Sequence, residues 1–384
     1  MNDKILAISF FGSTKHQLKP YENLDNVDLI IFESHPLNLG IPGPVEDFKK
    51  MNIDYTKYFA VITWGDSLFP VHKYFFKKCI ENDITVYGNQ HGINKSILQI
   101  IFSAPNKYCK YWNAEGSFML ERFQKVLNVN PLYNRWISLG SPHHEYLYNT
   151  FSWNKKNSNN KILLIHEPNL KNAEGDKHPH DSEYIINEVI KTASNLGYEI
   201  DLKVHPNWKG DSGNSNTKLR RFECNYVDIS LEEVVNYSLV VGSRSSLLYE
   251  SYIMGIPVFA ISSHSDWPDD LISFLSKKIV LSYDLNDIGI AINQTFNSPI
   301  NQDLNKIKHL SGPIGNVLDN YLKFIYSDRE HPEKHLGKVR YKFYLSRLKR
   351  TDLMDKLFSK YINYILHKII ITFPKSYALL RFLR

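Results

Sequence analysis

Short apolar runs, each closed by turn residues, alternate with stretches of helical spacing along most of the chain. Ile5-Leu-Ala-Ile-Ser-Phe-Phe11, Val27-Asp-Leu-Ile-Ile-Phe32, Ala60-Val-Ile-Thr63 and Ile84-Thr-Val-Tyr87 read as strands, with a helix from about Val71 to Asn82 before the last of them. Continuous apolar runs this short suit strands buried on both faces, so they predict a parallel sheet covered by helices. The polar, turn-rich stretch Trp153-Asn-Lys-Lys-Asn-Ser-Asn-Asn160 interrupts the pattern and suits a linker. A second series follows: strand Lys161–Ile165, helix Ser182–Leu196, strand Glu199–Val204, strand Ser238–Val241, helix Ser246–Met254 and strand Pro257–Ile261. The expected fold class is therefore α/β, with two Rossmann-like doubly wound domains over 1–152 and 161–330. Ligands of such sheets bind beyond the carboxyl ends of the strands.

Length agrees with two domains, since 384 residues exceed one ordinary core. Charge changes the picture more. The net charge is +6, but from Lys334 onward there are 13 Lys/Arg against 2 Asp/Glu, leaving 33 basic and 38 acidic residues in the rest. The basic character belongs to a tail, 335–384, in which Leu353, Leu357, Tyr361 and Ile365 recur every fourth residue. That is a basic amphipathic pattern, suited to an anionic membrane surface or to packing on the body. An acidic body argues against nucleic acid as a partner. The three cysteines, Cys79, Cys109 and Cys224, have no metal-ligand spacing and point to a reducing compartment. Met1–Phe11 lacks the pattern of a secretory leader, and no apolar stretch approaches the roughly 20 residues that span a bilayer.

Several segments at predicted strand ends carry candidate chemistry. In Val240-Val-Gly-Ser-Arg-Ser-Ser-Leu-Leu-Tyr-Glu250 a strand ends at glycine and two serines open a helix. Ser245 or Ser246 fits an N-cap, and the amides and dipole of the helix start suit an anion. Glu250 lies one turn beyond Ser246 and suits ribose hydroxyls, although the same residues also fit a plain cap with a solvated glutamate. His205-Pro206 ends the strand Glu199–Val204, which places an imidazole at a carboxyl edge where phosphate would bind. It is one of four His-Pro pairs, with His35, His178 and His331, of which only His35 and His205 follow strands. His91, in Tyr87-Gly-Asn-Gln-His91-Gly92, stands at a carboxyl edge of the first domain, where an imidazole suits a general base. Glu115, in Asn113-Ala-Glu115-Gly116-Ser117, is a second candidate base, and Asp66 a weaker third. There is no Gly-x-Gly-x-x-Gly after the first strand, no P-loop, no Gly-x-Ser-x-Gly elbow, no Asp-x-Asp and no zinc spacing.

Taken in order, Gln90-His91-Gly92, Trp112-Asn-Ala-Glu115-Gly116, Leu139-Gly-Ser-Pro-His143, His205-Pro206, Gly242-Ser-Arg-Ser-Ser246 with Glu250, and Gly255-Ile-Pro257 resemble GT-B transferases of bacterial surface polymers. The pattern looks like the CDP-glycerol glycerophosphotransferases, and its His-Pro and Ser-Ser pairs are similar to GT-B sialyltransferases and Kdo transferases. Ala114 stands where the sialyltransferases carry a first acid, and Gln90 where the glycerophosphotransferases carry tryptophan. The resemblance implies transfer of a sugar or polyol phosphate from a CMP- or CDP-linked donor to a glycan or lipid-linked glycan of capsule, lipopolysaccharide O-antigen or teichoic type. It implies no metal and no cofactor. His205, Pro206, Ser245, Ser246 and Glu250 would hold the donor on the second domain. His91 or Glu115 would act as base on the first, acceptor-side domain. The expected location is cytoplasmic, peripheral on the inner face of the membrane through the tail. Two other readings are a GT-B-like UDP-sugar epimerase and a non-catalytic membrane-peripheral assembly protein.

Overall fold

The computed structural model describes residues 3–10, 12–32, 45–64, 70–90, 108–127, 136–151, 159–166, 182–204, 222–242, 245–261, 281–283, 288–297 and 304–334. Among these, the residues up to Pro142 and from His309 form one compact unit, and those from His143 to Lys308 form a second.

The first unit is built on a six-stranded sheet of β1 (Lys4–Ser9), β2 (Val27–Ile31), β3 (Tyr58–Trp64), β4 (Thr85–Asn89), β5 (Cys109–Asn113) and β6 (Trp136–Ile137). The order is β2-β1-β3-β4-β5-β6, and every pair is parallel. Alternation along each strand divides its side chains between two cores. Leu6, Ile8, Val61 and Val86 point to one face, where Phe48, Val71, Phe75 and Phe76 of helices Val45–Lys49 and Pro70–Glu81 cover them. Ile5, Ala7, Ala60 and Ile62 point to the other, with Leu18 and Tyr21 of a 3-10 helix over Gly12–Tyr21. Burying a large apolar side chain contributes about 1.5–3 kcal/mol, and β1 is apolar on both faces from Ile5 to Ile8.

That second face also takes Tyr321 and Ile325 of helix Val317–Glu330, a segment within the 161–330 stretch that the sequence pattern assigns to the second domain. A β-bulge fixes its docking. The β4–β5 register passes from Val86↔Cys109 to Tyr87↔Tyr111, so Lys110 is an extra residue on β5. Lys110 and Tyr111 thereby reach the same partner, Asp328. Its two oxygens each accept from Lys110 Nζ at 2.7 Å, and they also accept from Tyr87 at 2.5 Å and Tyr111 at 3.1 Å. The Lys110 and Asp328 side chains are only 2% and 1% exposed. Burial holds the Lys110 ammonium below its ordinary pKa, against the opposing pull of Asp328. An ion pair this deep is better understood as fixing register than as adding net stability.

The second unit carries β7 (Lys161–His166), β8 (Glu199–Val204), β9 (Asn225–Val227), β10 (Leu239–Gly242), β11 (Val258–Ile261) and β12 (Leu281–Tyr283). All pairs are parallel, in the order β12-β11-β10-β7-β8-β9. Counted within the unit this is the 3-2-1-4-5-6 order of dinucleotide-binding sheets. Its centre is apolar: Ile162, Leu163, Leu239, Val240 and Val241 are fully buried. On β8, Asp201 accepts from Tyr237 at 2.6 Å and from Asn225 and Lys161 at 2.9 Å. Burial pushes its carboxyl up, but these hydrogen bonds outweigh burial and hold it below the usual carboxylate range.

The fold class is thus the expected one, two doubly wound parallel sheets. Strand Glu199–Val204 falls where the pattern puts it, and helices Ser182–Asn195 and Ser246–Ile253 end within one residue of the expectation. The tail 335–384 lies outside the described residues. Among the described residues no helix is long and apolar enough to cross a membrane.

Candidate functional site

In the second unit the chain turns to one side after β7, toward β8, and to the other after β10, toward β11. Loops leaving two adjacent strands in opposite directions open a crevice at their carboxyl ends. Gly242 ends β10 there. A Cβ on it would stand 3.2 Å from Ile165 Cβ on β7, closer than ordinary contact, so glycine suits this junction.

Three residues later Ser245 has an extended backbone, φ −81° and ψ 140°, and its hydroxyl accepts from the Leu247 amide at 3.3 Å. Of the two serines that fit the cap, Ser245 is therefore the cap and Ser246 opens the helix. The Leu248 amide bonds the Ser245 carbonyl at 3.2 Å. Hydroxyl and carbonyl of one residue thus hold two first-turn amides, which leaves the dipole and the helix rim as the attraction for an anion.

Glu250 is buried rather than solvated. Its Oε1 lies 3.4 Å from Nε2 of His143, whose side chain is 2% exposed. His143 belongs to helix Pro142–Thr150, which begins with proline, a residue pre-set for a first helical position. The next residue, His144, sets its ring at 72° to that of Tyr249, with centroids 4.9 Å apart. Two consecutive histidines therefore engage two consecutive residues of the capped helix. In the sequence His143 stands only within the Leu139-Gly-Ser-Pro-His143 motif, and no spacing rule links it to Glu250.

The carboxyl edge of the first sheet is a knot of amides. Asn113 Nδ2 donates to Asn89 Oδ1 at 3.1 Å and to the Gly140 carbonyl at 2.8 Å, and Asn113 Oδ1 accepts from the Leu139 amide at 3.0 Å. The Glu115 amide donates to Gln90 Oε1 at 3.2 Å. Glu115 is only 3% exposed. Two glycines let backbone segments meet beside it. A Cβ on Gly116 would overlap the Leu310 and His309 carbonyls, and one on Gly312, at φ +83°, would overlap Gly140 and the Glu115 carbonyl. Ser117 Oγ lies 2.8 Å from His309 Nδ1. The structure thus brings the Gln90, Glu115-Gly116 and Leu139-Gly140 segments together. His91, Asp66, His205 and Pro206 lie outside the described residues.

No protein-family model matches this chain, and no curated protein sequence does. Solved structures do. One similar structure is a variant of the wall teichoic acid polymerase TagF, with TM-score 0.54 and 14% identity over 87% of this chain and 90% of that one. A TagF variant soaked with CDPG gives 0.53 and 14% over 87% and 91%. UDP-GlcNAc 2-epimerase from Neisseria meningitidis, bound to UDP-GlcNAc, gives 0.51 and 12% over 84% and 100%. At these identities the likeness defines the fold: the chain has the two-domain α/β fold of the GT-B type.

Proposed function

We propose that the protein is a GT-B-type transferase, moving a sugar or polyol phosphate from a nucleotide-activated donor, CMP- or CDP-linked, to a cell-surface polysaccharide acceptor of capsule, O-antigen or teichoic type. The observation that carries this reading is the Ser245-capped helix start beyond Gly242, at the strand-order reversal of a 3-2-1-4-5-6 sheet. That is the place in such a sheet where a nucleotide phosphate meets a helix dipole.

In this reading Ser245, Ser246, His205 and Pro206 surround the donor phosphate, and Glu250 takes the ribose. The acceptor hydroxyl gives its proton to His91, or to Glu115, as its oxygen attacks. With a CMP-linked sugar the anomeric C–O bond breaks; with a CDP-linked polyol the pyrophosphate P–O bond breaks. Either way CMP leaves with the bonding electrons, and its developing charge falls on the helix start. The transfer is proposed to need no metal, so a chelator should leave turnover unchanged. The tail, with its 13 basic residues from Lys334 onward, is proposed to meet anionic lipid on the cytoplasmic side of the membrane.

A titration of the full chain with CMP, CDP, UDP and GDP tests the reading. Binding of a cytidine nucleotide supports it, and binding of none sinks it. The GT-B-like epimerase reading has one point in its favour, the similarity to an epimerase fold. Incubation with a UDP-sugar and no acceptor separates the two, because only an epimerase returns a new sugar nucleotide.

A further inference from the structure

We propose that the first unit has a buried water-binding site at the carboxyl edge of its sheet, where Asn89, Tyr21 and Tyr321 share one ordered water. The site does not depend on the transfer reading.

Backbone groups fix which way the Asn113 amide points. Its Oδ1 accepts from the Leu139 amide at 3.0 Å, and its Nδ2 donates to the Gly140 carbonyl at 2.8 Å. Amide oxygen and nitrogen are assigned from partners of this kind. The same Nδ2 also donates to Asn89 at 3.1 Å, so Asn89 presents its oxygen there. Asn89 Nδ2 is then turned the other way. The residue is 4% exposed, and its Nδ2 meets no acceptor among the described residues. An amide N–H taken out of water without an acceptor is destabilising.

Two phenols share this condition. Tyr21 and Tyr321 are buried, and neither hydroxyl has a hydrogen-bond partner among the described residues. The three groups lie on one face of the sheet. Tyr21 and Tyr321 belong to the same core as Trp64 and Tyr87. The Tyr21 ring meets the Trp64 ring edge-on, with centroids 5.9 Å apart. Trp64 on β3 is the register partner of Asn89 on β4, and Asn89 shares the face of Tyr87, two residues before it. Electrostatics agrees with this grouping. Burial pushes both hydroxyls up; Tyr321 adds to the rise at Tyr21, while the Asn89 amide pulls Tyr321 down. Both phenols therefore keep their protons, and each has one to donate.

Water matches this set and an ion does not. A buried water makes about three hydrogen bonds to groups that otherwise have none. It can accept from Asn89 Nδ2 and from one phenol, and donate to the other. A cation is repelled by the Asn89 N–H. An anion would lack a counter-charge, because Lys110 and Asp328, the ion pair on this face, neutralise each other. The water holds the outer end of the Asn89 amide, whose inner end bonds Asn113 and through it the Leu139 and Gly140 backbone.

The test combines a high-resolution crystal structure of the full chain with chemical denaturation of Tyr21→Phe, Tyr321→Phe and the double variant. The crystal structure should show a water within hydrogen-bonding distance of Asn89 Nδ2 and both phenol oxygens. Each Phe variant keeps the ring and removes one hydrogen bond to that water, so each should raise the unfolding constant about fivefold, the effect of one net hydrogen bond. Because the hydroxyls share a partner, the double variant should lose less than the product of the two single effects. A dry site in the crystal structure overturns the proposal. So does a Phe variant as stable as the unaltered protein or more so, since a buried hydroxyl with no partner is better removed. Single effects that multiply in the double variant would mean two separate sites and overturn the shared water.

Discussion

The carboxyl edges of the two sheets are built differently. At the first, side-chain amides and glycine-permitted backbone contacts tie β4, β5 and the segments at Gly140 and Gly312 to one another. Polar capacity there is spent on fixing loop positions, and Glu115 is buried within the tie. At the second, the described edge carries one glycine, one serine cap and one histidine–glutamate contact between helices. An edge whose segments are tied to one another suits the placing of a base against an acceptor. An edge with a helix start suits the holding of an anion. In the proposed transfer this contrast corresponds to a proposed division of labour, with the base on the first unit and the donor on the second.

The largest effect should come from the first edge. His91→Ala is expected to lower turnover by about 10²–10⁴-fold, the range of a lost general base, with nucleotide affinity unchanged. Near-normal turnover would move the base to Glu115 or elsewhere.

A comparable effect, now on stability, should come from the ion pair that docks helix Val317–Glu330 on the first sheet. Asp328→Ala leaves Lys110 buried without its counter-ion and should cost about 3–5 kcal/mol. Chemical denaturation measures it, and a loss under 1 kcal/mol would show the helix to be docked by its apolar face alone.

Next in size is an acid sensitivity of the first unit. His72 is buried beside Phe10 and Phe76, and burial lowers its pKa to about 3. The folded imidazole resists a proton that the unfolded one accepts near pH 6.5, so stability is full above that pH and is lost as pH falls toward 3. By pH 5 the loss from this group is about 2 kcal/mol. Stability measured against pH should show this slope, and His72→Phe should flatten it. An unchanged slope would place the acid sensitivity in other groups.

The smallest effect belongs to the second edge. Ser245→Ala removes the hydroxyl that bonds the Leu247 amide and should cost about 1 kcal/mol. A thermal midpoint unaffected by the change would mean that the cap is not needed to hold the helix start.

Much of this was legible in the chain. Strands such as Ile162–Ile165 and Leu239–Val241 announce themselves because burial on both faces demands unbroken apolar runs. The capped helix was legible because Ser-Ser after glycine is a local signal. β5 was not. Lys110 and Asn113 interrupt its apolar pattern, and only the bulge and the partner Asp328 explain why a lysine is tolerated there. The docking of helix Val317–Glu330 on the first sheet was equally hidden, because Tyr321 and Ile325 meet a face built from residues near the start of the chain. For the same reason the burial of Glu250 has no local signal: His143, which approaches it, lies in a different helix, far away in sequence. Local pattern reveals which elements form, and long-range pairing decides which side chains they bring together.

The central claim is that the second unit holds a nucleotide at the Ser245–Ser246 helix start. The most direct measurement is a calorimetric titration of the full chain with CMP, CDP, UDP and GDP, repeated on Ser246→Ala. The account predicts saturable binding of a cytidine nucleotide that the substitution weakens. Absence of binding by all four, or binding that Ser246→Ala leaves unchanged, would contradict it.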